Sequence, residues 1–160
     1  MTRLNLIVGT VILAVLVAGA ATGAVWTPYD PMQLDMMNRL QAPSAAHLLG
    51  TDEFGRDVLS RLMAGATASF SIALVTVVLA IAAGTATGLL AGTARGWIAR
   101  GINAVSDALL AFPGILLALA LIVIVGAGRN GIVIALAIAY LPGVMRIVRG
   151  TVLSTREKEY

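Results

Sequence analysis

The chain has 160 residues, of which 59% are hydrophobic and 12% charged, with no cysteine, one histidine and a net charge of +3. Soluble domains run at roughly 45–50% apolar and about 25% charged, so this composition excludes a soluble enzyme, a nucleic-acid-binding domain and a disulfide-stapled secreted module. Positions 4–29, 62–94, 108–128 and 130–145 carry no Asp, Glu, Lys or Arg. A helix crosses the hydrocarbon core with ~20 mostly apolar residues, which three of these windows supply and the fourth approaches. The fold class is therefore an all-α integral membrane protein with four transmembrane helices.

The first span runs from Leu4 to Val25 and closes at Trp26, giving an N-terminal anchor over 1–26. Its charged start and the small-residue run from Ala18 to Ala24 are also features of a cleaved signal peptide, but the apolar stretch is longer than a signal core and favours an uncleaved helix. Residues 27–65 form an extracytoplasmic segment. Pro28, Pro31 and Pro43 make its first half extended and irregular. The second half is predicted to be a short amphipathic helix on the membrane surface, capped by Thr51 or Asp52, with Val58, Leu59, Leu62 and Met63 on its apolar face. Asp52–Arg56 and Asp57–Arg61 stand four apart with the acid first, the favourable order for helical ion pairs.

The second span lies within 66–93 and carries Gly84, Gly88 and Gly92 on one stripe. Small residues let backbones approach in lipid, either at a seam with another subunit or within the same chain. A loop at 94–102 bears Arg95 and Arg100, the third span runs over 103–125, a glycine-rich turn covers 126–131, and the fourth span follows over 132–148. With the N-terminus inside, Arg3, Arg95, Arg100, Arg146, Arg149, Arg156 and Lys158 fall on the inner side, against Arg39, Arg56, Arg61 and Arg129 outside. This bias makes the N-terminus cytoplasmic.

Few residues offer chemistry. Asp107 lies about one helical turn from the inner end of its span, too shallow and too isolated for a proton relay, and reads as a structural or gating acid. Pro113 predicts a kink near Phe112, and Pro142-Gly143 a second one late in the fourth span. His47 has no partner suited to a metal site, and the acids at 52–57 lack calcium-loop spacing. No phosphate-binding Gly-x-x-x-x-Gly-Lys-Ser/Thr segment is present, so the chain binds no ATP by that route, and no nucleophile–base pair suggests an enzyme. Ser154-Thr155-Arg156-Glu157 is a capping-box pattern that announces a new cytoplasmic helix, a natural docking element that Tyr160 cuts short.

These segments carry a resemblance. Pro28-Tyr29-Asp30-Pro31 and the block His47 to Leu62, with Gly50, Thr51, Asp52, Gly55, Arg56, Asp57 and Arg61, resemble the outer segment of the dipeptide/oligopeptide/nickel class of ABC-importer permeases, specifically the second (C-type) permease subunit. Asp107 through Pro113 is similar to that subunit's third-span motif, and Pro142 through Gly150 to the approach to its coupling helix. Family members continue through an Ala-Ala…Gly motif and two further spans. The present sequence thus reads as the N-terminal part of a type I permease fold or a truncated reading frame.

The resemblance implies a multi-pass protein of a bacterial-type cytoplasmic membrane, working with a second permease subunit, two cytoplasmic ATP-binding subunits and an extracytoplasmic solute-binding protein. ATP and Mg would reside on the partner ATPases, with no cofactor on this chain. Glu157, Glu159 and Tyr160 would begin the ATPase-docking helix, and 27–65 would face the binding protein. The cargo would be di- or oligopeptides or similar small solutes, glutathione and nickel chelates among them. A non-transporting membrane scaffold, or a non-functional fragment, is the competing reading.

Overall fold

The structure, a computed structural model, describes the chain from Arg3 to Lys158, with side chains through Arg156. Five helices account for most of it: α1 (Arg3–Gly23), α2 (Val58–Thr93), α3 (Trp97–Leu110), α4 (Gly114–Val125) and α5 (Arg129–Lys158). Three of them, α1, α2 and α5, are individually long and apolar enough to cross a membrane, and the bent pair α3–α4 makes a fourth if it counts as one span. The chain divides into two compact units, Met1–Ser71 and Ile72–Tyr160.

In the first unit, the 21 residues of α1 extend about 31 Å at 1.5 Å each, which matches a ~30 Å hydrocarbon core. Leu4, Ile7, Leu13 and Leu16 stand exposed, as lipid-facing residues do, while Ala20 is buried. The C-terminal turn of α1 meets the first turns of α2 at small residues. A Cβ on Gly23 would lie 2.5 Å from the Met63 carbonyl oxygen, and the Thr67 hydroxyl donates to the Ala20 carbonyl at 2.7 Å. Such closeness is how helices associate where solvent offers no hydrophobic drive.

The segment between α1 and α2 departs from the sequence expectation. No separate amphipathic helix starts at Thr51 or Asp52; α2 itself begins at Val58 and runs unbroken to Thr93. Residues 51–57 form a closed turn with an isolated antiparallel bridge between Thr51 and Asp57. The cause is local. Gly55 has φ +74°, outside the right-handed helix, and the Asp52 carboxylate accepts the Phe54 and Arg56 amides, which diverts those donors from helical partners. Of the two expected ion pairs, Asp52–Arg56 forms at 2.7 Å, inside the turn and not on a helix. Asp57–Arg61 does not form: Asp57 is taken by His47 and Ser60, and Arg61 reaches Asp52 at 3.5 Å.

The second unit holds the rest of α2 with α3, α4 and α5; α3 and α4 both pack on α5. Its core is built from small side chains, Ala80, Ala91, Ala118 and Ala135, around Met145. The stripe Gly84, Gly88 and Gly92 lies against α5: Cβ atoms there would come within 2.7–2.8 Å of Val144, the Met145 carbonyl and Val148, and Val152. The Arg156 guanidinium then donates to the Gly92 carbonyl at 3.1 Å, near the C-terminal end of α2.

The expected third span is broken. α3 ends at Leu110, α4 starts at Gly114, and their axes differ by 99°. Pro113 lacks the backbone donor that would join them and sits with ψ 126° just before α4, so the expected kink is a full corner. The fourth span is longer than expected, because α5 passes through buried Pro142 without interruption. No new helix begins at Ser154 either. Ser154 and Thr155 hydroxyls both bond back to the Thr151 carbonyl at 2.9 Å, as they do inside a helix, so the capping-box residues extend α5.

Candidate functional site: a polar knot before α2 and an arginine pair on α5

In the first unit, the polar residues of 27–61 tie the chain into a knot. Asp35 caps the short 3-10 turn Met36–Asn38, accepting from the Met37 amide and the Asn38 side chain. Two strands of backbone then cross: the Asp35 amide donates to Phe54 O, Leu40 to Asp52 O, and Thr51 to Gln41 O, all at 3.0–3.1 Å. The Thr51 hydroxyl donates to the Asn38 carbonyl and accepts from the Gln41 amide at 2.9 Å. Glycine is required at the two tightest points. Cβ atoms on Gly55 and Gly50, both at φ +74°, would fall 1.6 Å from Asp35 O and 2.3 Å from Gln41 O.

Asp57 anchors the knot to α2. One carboxylate oxygen accepts the Ser60 amide at 2.8 Å and the Ser60 hydroxyl at 2.7 Å, an N-terminal cap in geometry. The other lies 3.0 Å from His47 Nδ1, which carries the hydrogen because an ionised carboxylate only accepts. Ser60 in turn accepts from the Tyr29 amide at 3.0 Å, and the Tyr29 ring leans on His47 with centroids 4.7 Å apart. Burial pushes the Asp57 carboxyl up, but the Ser60 bonds and the His47 ring outweigh it and hold the group below its ordinary value. Asp52 is shifted the same way: desolvation raises it, and the Phe54 and Arg56 amides with the Arg56 guanidinium lower it further. Arg56 also lies over the Phe54 ring at 4.6 Å.

The seven signature residues Gly50, Thr51, Asp52, Gly55, Arg56, Asp57 and Arg61 thus share one structure. Tyr29, Asp35, His47 and Ser60 complete it; the sequence shows His47 unsuited to a metal site but does not show its bond to Asp57. They leave a polar cleft of about 200 Å³ lined by Tyr29, Asp30, Gln33, Asp35, His47 and Asp57. Among the described residues no group of three or more such side chains is arranged to hold a metal ion.

In the second unit, Asp107 on α3 accepts from the Arg146 guanidinium on α5 at 3.1 Å, both side chains being more than three-fifths exposed. Arg149, one turn further, has a buried Nε without a hydrogen-bond partner among the described residues. Pro113 stands at the α3–α4 corner and Pro142 inside α5. The docking residues proposed from the sequence fall differently: Glu157 belongs to α5, but its side chain, like Glu159 and Tyr160 altogether, lies outside the described residues.

Comparison with known proteins places this architecture. Residues 84–160 match the family described as binding-protein-dependent transport system inner membrane component. The dipeptide transport system permease protein DppC of Alkalihalophilus pseudofirmus is 40% identical over 154 residues, covering 96% of this chain and 51% of that protein. The glutathione transport system permease protein GsiD of Pectobacterium atrosepticum is 42% identical over 134 residues, 83% of this chain and 44% of the relative. The nickel transport system permease protein NikC of Escherichia coli K12 is 33% identical over 159 residues, 99% and 57% respectively. The chain therefore spans about half the length of these relatives, and the aligned stretches are long enough to include the knot as well as the helices matched by the family. Residues 84–160 belong to the family of binding-protein-dependent transport system inner membrane components, and along nearly its whole length the chain is similar to peptide- and nickel-type permeases.

Proposed function

We propose that this chain is permease material of an ATP-driven ABC importer that moves di- or oligopeptides, or similar small solutes, across the cytoplasmic membrane. The observation that carries this reading is the 40% identity to a dipeptide permease across 96% of the chain. The partners are a second permease subunit, two cytoplasmic ATP-binding subunits that hold ATP and Mg, and an extracytoplasmic solute-binding protein. The N-terminus is cytoplasmic, following the arginines that flank the spans.

Each part of the chain has a task in that machine. The knot, cross-linked by backbone bonds and three buried polar side chains, Thr51, Asp57 and Ser60, is a rigid outer platform for the binding protein. The α3–α4 corner at Pro113 and the exposed Asp107–Arg146 contact are suited to gating, because an exposed ion pair exchanges partners at little cost. Glu157, in the last turn of α5, with Glu159 and Tyr160 after it in the sequence, begins the ATPase contact. The glycine stripe is occupied by α5 of the same chain, which removes the main support for a scaffold that assembles through it.

The test is uptake of a labelled dipeptide into proteoliposomes carrying the chain with its partner permease and ATPases. Uptake that requires both ATP and the binding protein supports the assignment. Uptake independent of either, or a chain that fails to co-purify with the ATPases, overturns it.

A further inference from the structure

Two cavities of the second unit share a wall. One, about 320 Å³, is apolar and lined by Ile102, Val105, Leu109 and Leu141 together with Ser106 and Met145. The other, about 200 Å³, is polar, lined by Asn103, Asp107, Arg146 and Arg149 with the same Ser106 and Met145. Its two guanidiniums are not equivalent. Arg146 is neutralised by Asp107, whereas Arg149, among the described residues, has no ion-pair partner and presents a buried Nε–H without an acceptor. A buried donor left open is costly and points to a group that is absent from the isolated chain.

The depth of the site narrows what that group is. From Arg129 to Arg146, α5 rises about 26 Å at 1.5 Å per residue, close to the ~30 Å hydrocarbon thickness. The arginine cavity therefore lies at the headgroup layer, and the apolar cavity opens beside it. A free phosphate would satisfy Arg149 and leave the apolar side empty. A molecule with an oxyanion joined to a hydrocarbon chain fills both.

We infer that the adjoining cavities between α3 and α5 hold one anionic phospholipid, its phosphate on Arg149 and an acyl chain along Val105 and Leu109. The site does not depend on the transport assignment, and its binding is measured without transport.

The test is native mass spectrometry of the detergent-solubilised full chain with phosphatidylglycerol, phosphatidylcholine or inorganic phosphate added. Phosphatidylglycerol is expected to be retained over phosphatidylcholine, and about tenfold more weakly by Arg149→Gln, with partial recovery in Arg149→Lys. Asp107→Asn frees Arg146 for the phosphate and is expected to tighten retention several-fold, which a loss of folding would not do. Val105→Trp fills the apolar cavity and is expected to weaken lipid retention. The arginine Arg95, outside both cavities, serves as control, and Arg95→Gln is expected to leave retention unchanged. Equal retention of the two lipids, unchanged retention in Arg149→Gln with circular dichroism of the native chain, or displacement of the lipid by inorganic phosphate overturns the inference. The last result assigns the pocket to a free anion.

Discussion

His47 Nδ1 and Asp57 Oδ1 lie 3.0 Å apart, joining the loop before the knot to the residue that caps α2. Asp57 is only 4% exposed and satisfies three donors at once. Asp57→Ala is expected to destabilise the chain by about 2–4 kcal/mol, the sum of a lost helix cap and of donors stranded around a charged acceptor. His47→Ala removes one of the three and is expected to cost about 1 kcal/mol. Urea unfolding in detergent, followed by circular dichroism, separates the two; equal effects would contradict the ranking.

The same carboxylates set a pH dependence. Both Asp52 and Asp57 are held below the ordinary carboxyl value of 3.8 in the folded chain. A depressed folded value means the unfolded chain takes up protons first on acidification, so the contribution is complete above 3.8 and is lost as pH falls through the lower folded values. Resistance of 27–57 to an acid-stable protease is expected to stay flat from neutrality to about pH 4 and to fall only below it. A loss centred well above that point would contradict the assignment.

Glycine substitutions grade by what they meet. Gly55→Ala forces a left-handed residue and a Cβ into the Asp35 carbonyl, and is expected to cost at least ~2 kcal/mol. Gly65, also in the first unit, has open space around it, so Gly65→Ala is expected to be neutral or slightly stabilising. On the stripe, Gly88→Ala meets a backbone oxygen at 2.8 Å and Gly92→Ala only the Val152 side chain, which can turn away. The first is expected to lower stability by about 1–3 kcal/mol and the second by less. Thermal unfolding of the four variants checks the order.

Asp107→Asn separates structure from motion. An exposed pair contributes roughly 0–1 kcal/mol, so thermal stability is expected to hold while ATP-dependent uptake changes. A variant with unaltered uptake would remove Asp107 from gating.

The apolar helices were legible because each window has a length set by the bilayer, and the break at Pro113 because proline removes a donor; Pro142 lacks the same donor inside an unbroken α5, so the rule did not say which proline would turn the chain. The segment around Asp52 was not. Its acid-to-arginine spacing fits a helix, but Gly55 at positive φ and the Asx bonding of Asp52 close a turn at the same spacing. Spacing alone does not separate the two. Ser154 to Glu157 misled for a related reason: a capping box signals a start only where the preceding backbone leaves the helix, and α5 does not leave it. The His47–Asp57 and Tyr29–Ser60 bonds were hidden because their partners lie 10 and 31 residues apart.

The uninterrupted 30 residues of α5 amount to about 45 Å of rod against a ~30 Å oily layer. Roughly one third of its length is therefore free of lipid, carried on the same stiff axis as buried Met145. The turns beyond Arg146 continue the same backbone helix as Met145, so a displacement of them in water is carried along the helix to the side chains packed around Met145.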